Sequence, residues 1–292
     1  LEGGGGLEHS ASTVMLASRW DSRDEASYRG WLCLVSHVFF HTWNIKRLRP
    51  ASLGPFDYEN ENYVSDLWIV EGITSYFDDL LVRRAGLMTD AQYFDRLTKG
   101  ITRQQETPGR FHQSLSASSF DAWIKFYRPD ENSRNSGVSY YTKGALVAWV
   151  LDAKIREASG GQESLDSAMR LAYERFSGER GYTTAEIRDL FEEVAGEDLD
   201  EFWATHVDGT DEIDYEFALR YFGLRFAPVS ESAAPPPPYL GLGFDTPVAA
   251  RLILRSVLRC GPAAAASPTV SVVLSPLSSL PTASAPARPP RP

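Results

Sequence analysis

Val35-Ser36-His37-Val38-Phe39-Phe40-His41-Thr42-Trp43 is the stretch on which the reading of this chain turns. It belongs to a longer rhythm: Trp31, Leu34, Val35, Val38, Phe39 and Trp43 recur at helical spacing and predict a largely buried helix over residues 24–43. Residues four apart share one face of a helix, so His37 and His41 can aim both imidazoles at one point. Imidazoles so placed suit a divalent metal, although histidines at this spacing also occur as packed or hydrogen-bonded side chains.

The following helix, predicted over 65–85 and stopped by Gly86, carries the third candidate ligand. In Leu67-Trp68-Ile69-Val70-Glu71-Gly72 a single carboxylate sits inside an apolar run. Burial disfavours a bare carboxylate, and a metal facing two neutral imidazoles would supply its missing partner. Two histidines and one glutamate leave a fourth position for water, which is the arrangement of a catalytic zinc rather than a structural one.

Outward from these two helices the chain reads as mainly α. A glycine run and Thr13–Ala17 predict a turn and a short extended piece at the N-terminal end, and 44–62, with its prolines, predicts a long loop. Further helices are predicted over 89–105, 139–158 and 164–176, then from a Thr183–Glu186 capping box to about Val194, with short ones at 199–206 and 215–221. Residues 230–238 end in four prolines and predict a stiff linker. Beyond Gly261 the chain is Ala, Ser and Pro with too few large apolar residues to fold alone, which predicts disorder.

Composition narrows the partners. At 292 residues and 43% hydrophobic, the chain can bury a sizeable core. A net charge of −10 without a basic patch argues against nucleic-acid and anionic-membrane partners. No run approaches the roughly 18 apolar residues of a membrane helix, so a soluble protein is expected. Cys33 and Cys260 lie in regions of different character and do not suggest a disulfide framework. The opening Leu1–Gly6 reads as the start of a fragment, mid-domain.

Several segments, in order, resemble the glycyl aminopeptidase family of zinc metallopeptidases. They are Gly5-Gly6-Leu7-Glu8-His9, then Val35 through Pro50, then Trp68-Ile69-Val70-Glu71-Gly72-Ile73-Thr74-Ser75-Tyr76, then Tyr140-Tyr141-Thr142-Lys143-Gly144. The resemblance implies a thermolysin-like catalytic domain over 1–229 of the gluzincin type, lacking an upstream β-rich domain, with Zn2+ held by His37, His41 and Glu71. It also implies that Glu8 holds the free α-amine of a peptide substrate by a charge-assisted hydrogen bond and that Tyr141 stabilises the oxyanion, with Tyr140 the adjacent alternative. His9, His112 and His206 have no such support and are expected to be structural or exposed. Residues 239–292 begin with Tyr239–Pro262, which resembles the opening of a PDZ domain, including a Gly-Leu-Gly-Phe loop, but too little chain remains for a PDZ core.

One position departs from the family. After its first histidine the family has a glutamate that acts as general base, and here that residue is Val38. Loss of such a group is typically worth about 10²–10⁴-fold in rate, so the resemblance implies an aminopeptidase that removes N-terminal, small residues only feebly. Two further readings compete: a non-catalytic zinc-containing protein that captures peptide N-termini, and a degraded gene product.

Overall fold

The computed structural model describes residues 4–226 and the backbone of two short strands beyond them. The chain divides into two units, Leu1–Ala234 and Pro235–Pro292. In the second, β3 (Leu242–Phe244) pairs antiparallel with β4 (Leu254–Val257). The expected proline-rich linker, the rest of the PDZ-like segment and the low-complexity tail lie outside the described residues.

The first unit is mainly helical, with a two-stranded sheet at its N-terminal end formed by β1 (Gly5–Glu8) and β2 (Thr13–Leu16). Among the described residues ten α-helices follow: α1 (Glu25–Phe40), α2 (Ile73–Arg84), α3 (Asp90–Gln105), α4 (Leu115–Phe120), α5 (Ser133–Ser136), α6 (Thr142–Ala158), α7 (Leu165–Phe176), α8 (Thr184–Ala195), α9 (Asp200–Phe202) and α10 (Tyr215–Tyr221). Among the described residues, no helix is long and apolar enough to cross a membrane.

Local chemistry explains the boundaries. The Asp24 carboxylate accepts the Ser27 N–H and opens α1, Thr89 and Gln92 form a capping box on α3, and Thr183 with Glu186 does the same for α8. Gly86 and Gly196 follow α2 and α8 with positive φ, a conformation that glycine adopts without the steric cost of a side chain. The predicted helices are all present. Helix α4 and the π-helical turn Ala122–Phe126 were not predicted, because Leu115-Ser116-Ala117-Ser118-Ser119 carries no apolar period.

Helix α6 is the axis of the core. Every residue from Leu146 to Ala153 is buried, and α2, α3, α7, α8 and α10 pack around it. Its buried Asp152 accepts the Tyr76 O–H of α2 at 2.7 Å and the Leu165 N–H that opens α7 at 2.7 Å, so a polar residue inside the core ties three helices together.

Helix α1 departs from expectation. It ends at Phe40, with His41 as its C-cap, rather than running to Trp43, and only Cys33 and Val38 are fully buried along it. Phe39 is 63% and Trp43 41% exposed, their rings meeting edge to face at 5.1 Å. The apolar spacing of this segment is real, but part of the stripe faces outward instead of into the core.

Candidate metal centre

The second helix of the pair does not begin as an α-helix. Trp68–Gly72 forms a π-helical turn, with the Ile73 N–H reaching back to the Trp68 carbonyl, and Glu71 lies within it. Such turns leave backbone carbonyls imperfectly used, and the side-chain amide of buried Asn44 collects two of them, donating to the Ile69 and Val70 carbonyls at 2.9 and 3.0 Å. The Ser119 hydroxyl of α4 accepts the Trp68 N–H at 3.1 Å. Beneath the turn Gly72 meets Gly144 of α6 backbone to backbone: a Cβ on Gly72 would lie 2.6 Å from the Gly144 Cα. Two glycines therefore allow the approach that brings Glu71 and the Tyr140-Tyr141-Thr142-Lys143-Gly144 segment to one place.

His37, His41 and Glu71 converge. Glu71 Oε2 is 3.1 Å from Nε2 of each histidine, and the two Nε2 atoms are 3.0 Å apart. The far side of each ring is also engaged: His37 Nδ1–H donates to Asp78 Oδ2 at 3.0 Å, and His41 Nδ1–H donates to the Asn44 carbonyl at 2.9 Å. These outer bonds fix the tautomers and leave both Nε2 lone pairs facing the Glu71 carboxylate. Three acceptors at such short range repel one another unless a cation lies among them, and the donor set, two imidazoles and one carboxylate, is one that zinc accepts. The residues fit a metal ion.

Charge at the site points the same way. With a proton on Nε2 in the place a metal would take, His37 and His41 donate to Glu71: burial raises the Glu71 pKa, but those bonds outweigh it and hold the carboxyl at about 2. Burial lowers that of His37, yet its bonds to Asp78 and Glu71 carry it up to about 9. The pocket between these groups thus favours positive charge.

Tyr141 stands beside this cluster, its ring centroid 6.2 Å from that of His37 and its hydroxyl 3.3 Å from the Tyr127 hydroxyl. Burial and the Glu71 charge push its pKa far above the usual phenol value. Tyr140 is buried in the core and reaches the same Tyr127 hydroxyl at 3.3 Å. Glu8 closes β1, and its carboxylate lies 3.7 Å from Lys46 Nζ in the turn that follows His41. Val38 is buried on the hairpin side of α1, with its Cγ2 only 2.3 Å from where a Cβ on Gly6 would lie. His9 and His112 are exposed, and His206 packs its ring edge-on to Phe202, away from the cluster.

Residues 30–147 match the M61 glycyl aminopeptidase family, a span that holds both histidines, Val38, Glu71 and Tyr141. This stretch of the chain belongs to the glycyl aminopeptidase family. Its fold is similar to the crystal structure of an aminopeptidase N family protein from Idiomarina loihiensis, at 32% sequence identity and a TM-score of 0.79. That match covers 88% of this chain and 47% of the other, so the chain spans about half the length of that protein. No curated protein matches it.

Two supporting residues of this family member were not anticipated from sequence. Asp78 lies seven residues after Glu71, two turns along the same face, and that spacing could have flagged it. Tyr127 follows an unpredicted π-turn and has no local signal.

Proposed function

We propose that this chain carries the zinc site of an aminopeptidase and binds peptides by their free N-termini, with hydrolysis strongly impaired at the proton-transfer step. The observation that carries the reading is the convergence of His37 Nε2, His41 Nε2 and Glu71 Oε2 with both outer imidazole nitrogens already committed. A zinc ion held there would supply Lewis-acid polarisation of a scissile carbonyl and acidify a water.

The remaining roles fall to the chain's own residues. Glu8 receives the peptide's ammonium in exchange for Lys46, a charge-assisted contact that sets the cut one residue from the N-terminus. Tyr141 keeps its proton at neutral pH, because burial and the neighbouring Glu71 charge oppose its ionisation, so it can donate to a developing oxyanion. Val38 offers no atom that can accept a proton, so abstraction from the attacking water is unassisted at this position. Retained ligands beside a missing base equally support capture of peptide N-termini without cleavage, and the small-residue preference is carried by family membership alone.

Zinc content and peptide hydrolysis measured together on this chain and on Val38→Glu test the reading. About one zinc per chain is expected in both, with release of N-terminal Gly or Ala on the order of 10²–10⁴-fold faster in the variant. Equal rates in the two proteins, or the absence of bound zinc, would overturn it.

A further inference from the structure

A cavity of about 370 Å3 opens beside the metal centre, within the roughly 300–1,000 Å3 range of small-ligand sites. Tyr141 and Asp78 line the end nearest His37. The opposite wall is one face of α3, where Arg96, Lys99 and Arg103 recur at intervals of three and four residues.

The packing of α3 on α6 fixes where each cation stands. Tyr93 shares a neighbouring cavity wall with Trp149 and Asp152, and a Cβ on Gly100 would lie 3.9 Å from Leu146 Cδ2. As α3 advances, its neighbours on α6 therefore step back toward the start of that helix, so the two run antiparallel. Arg103, one turn beyond Gly100, then falls at the Tyr141–Thr142 end of the cavity.

The three cations are not equally committed. Arg96 donates to Asp79 at 2.7 Å, and Lys99 pairs with Asp95 at 2.7 Å. Among the described residues Arg103 has neither a hydrogen-bond nor an ion-pair partner for its guanidinium. A guanidinium offers five N–H donors in a fork that matches a carboxylate.

We propose that this cavity takes a peptide carboxylate, with Arg103 as its anchor and Lys99 adding charge. The assignment rests on the reading of His37, His41 and Glu71 as a peptide-binding zinc site. A peptide with its reacting carbonyl at Tyr141 carries its next residue or two roughly 4–7 Å onward. The C-terminal carboxylate of a dipeptide or tripeptide therefore reaches the Arg103 end, and the substrate class is short peptides.

Equilibrium titration of the full zinc-loaded chain separates this proposal from the reading beneath it, since Val38 slows turnover enough for binding to be read. The ligands are Ala-Ala, its C-terminal amide, its N-acetyl form and Ala-Glu-amide, each against the wild type, Arg103→Gln and Arg103→Lys. Ala-Ala is expected to bind about tenfold more tightly than its amide, the range of a charge-assisted hydrogen bond, with the preference lost in Arg103→Gln and partly kept in Arg103→Lys. Equal affinity for acid and amide in the wild type, or an undiminished preference in Arg103→Gln, would overturn the proposal. Indifference to N-acetylation with the amide effect intact would remove the aminopeptidase reading and leave Arg103 as a carboxylate anchor. Ala-Glu-amide binding as tightly as Ala-Ala would support the site with an acidic side chain as the source of the carboxylate, and weak binding would assign it to the C-terminus.

Discussion

The π-turn that carries Glu71 and the hairpin that carries Glu8, the two acidic groups of the proposed site, are held by different means. The turn is buried, and three neighbouring segments fix it: Asn44 on its carbonyls, Ser119 on its first amide and Gly144 against its glycine. The hairpin is two strands of four residues, with Leu7 60% and Leu16 52% exposed, and a hairpin of that size has little stability of its own. It takes its place from the close approach of Gly6 to Val38 on α1. The half of the proposed site that holds Glu71 is therefore over-determined by the core, whereas the half that holds Glu8 rests on the packing of one strand against α1 and the Glu8–Lys46 pair.

Crowding the buried half should do the most damage. Gly144→Val puts side-chain atoms into the Gly72 backbone, which a Cβ alone would meet at 2.8 Å. A loss of about 3 kcal/mol in denaturant unfolding is expected, together with loss of zinc uptake. Normal zinc content in a destabilised protein would mean that the turn is less dependent on α6 than its packing implies.

Lys143, one residue earlier, should act in the opposite direction. Its Nζ is buried without a hydrogen-bond partner, and burial pushes its pKa down to about 8 despite the nearby charges of Glu212 and Asp211. An unfolded lysine holds its proton to about pH 10.4, so between about 8 and 10 the folded state binds fewer protons and stability rises with pH. Lys143→Met should abolish that rise and add about 1–3 kcal/mol at pH 7, measured by urea unfolding across the pH range. A variant that keeps the pH slope would place its origin elsewhere.

The smallest change in stability is expected at the hairpin. Gly6→Ala forces a methyl group toward Val38 Cγ2, and a thin hairpin can swing aside for less than about 1 kcal/mol. Zinc content should be unchanged while affinity for a peptide N-terminus drops about tenfold through displacement of Glu8. Adding Val38→Ala should restore that affinity, and zinc loss in Gly6→Ala alone would erase the contrast between the two halves.

Much of the helical framework was legible because its signals are local. Capping residues at Asp24, Thr89 and Thr183 and the glycines after α2 and α8 act within one turn of the backbone. His37 and His41 were legible for the same reason, since four residues of helix place them together whatever surrounds them. Helix α4 was not, because its serines are buried by partners elsewhere: Ser118 donates to the Val138 carbonyl and Ser119 accepts the Trp68 N–H. Phe39 and Trp43 misled in the other direction, since periodicity reports which residues share a face and not whether that face is covered.

The sequence by itself determined the two-histidine face of α1, a carboxylate in an apolar run, a mainly helical chain and the absence of an ionisable group at Val38, because residue type and short-range spacing suffice for each. Only the tertiary structure decided that Glu71 meets both histidines, that Asp78 and Asn44 fix their tautomers, that Tyr141 rather than Tyr140 stands beside His37, and that Arg103 lines the same cavity as Tyr141. Those outcomes depend on how closely α2, α3 and α6 approach, and that distance is set by packing between residues far apart in the chain, such as Gly72 on Gly144.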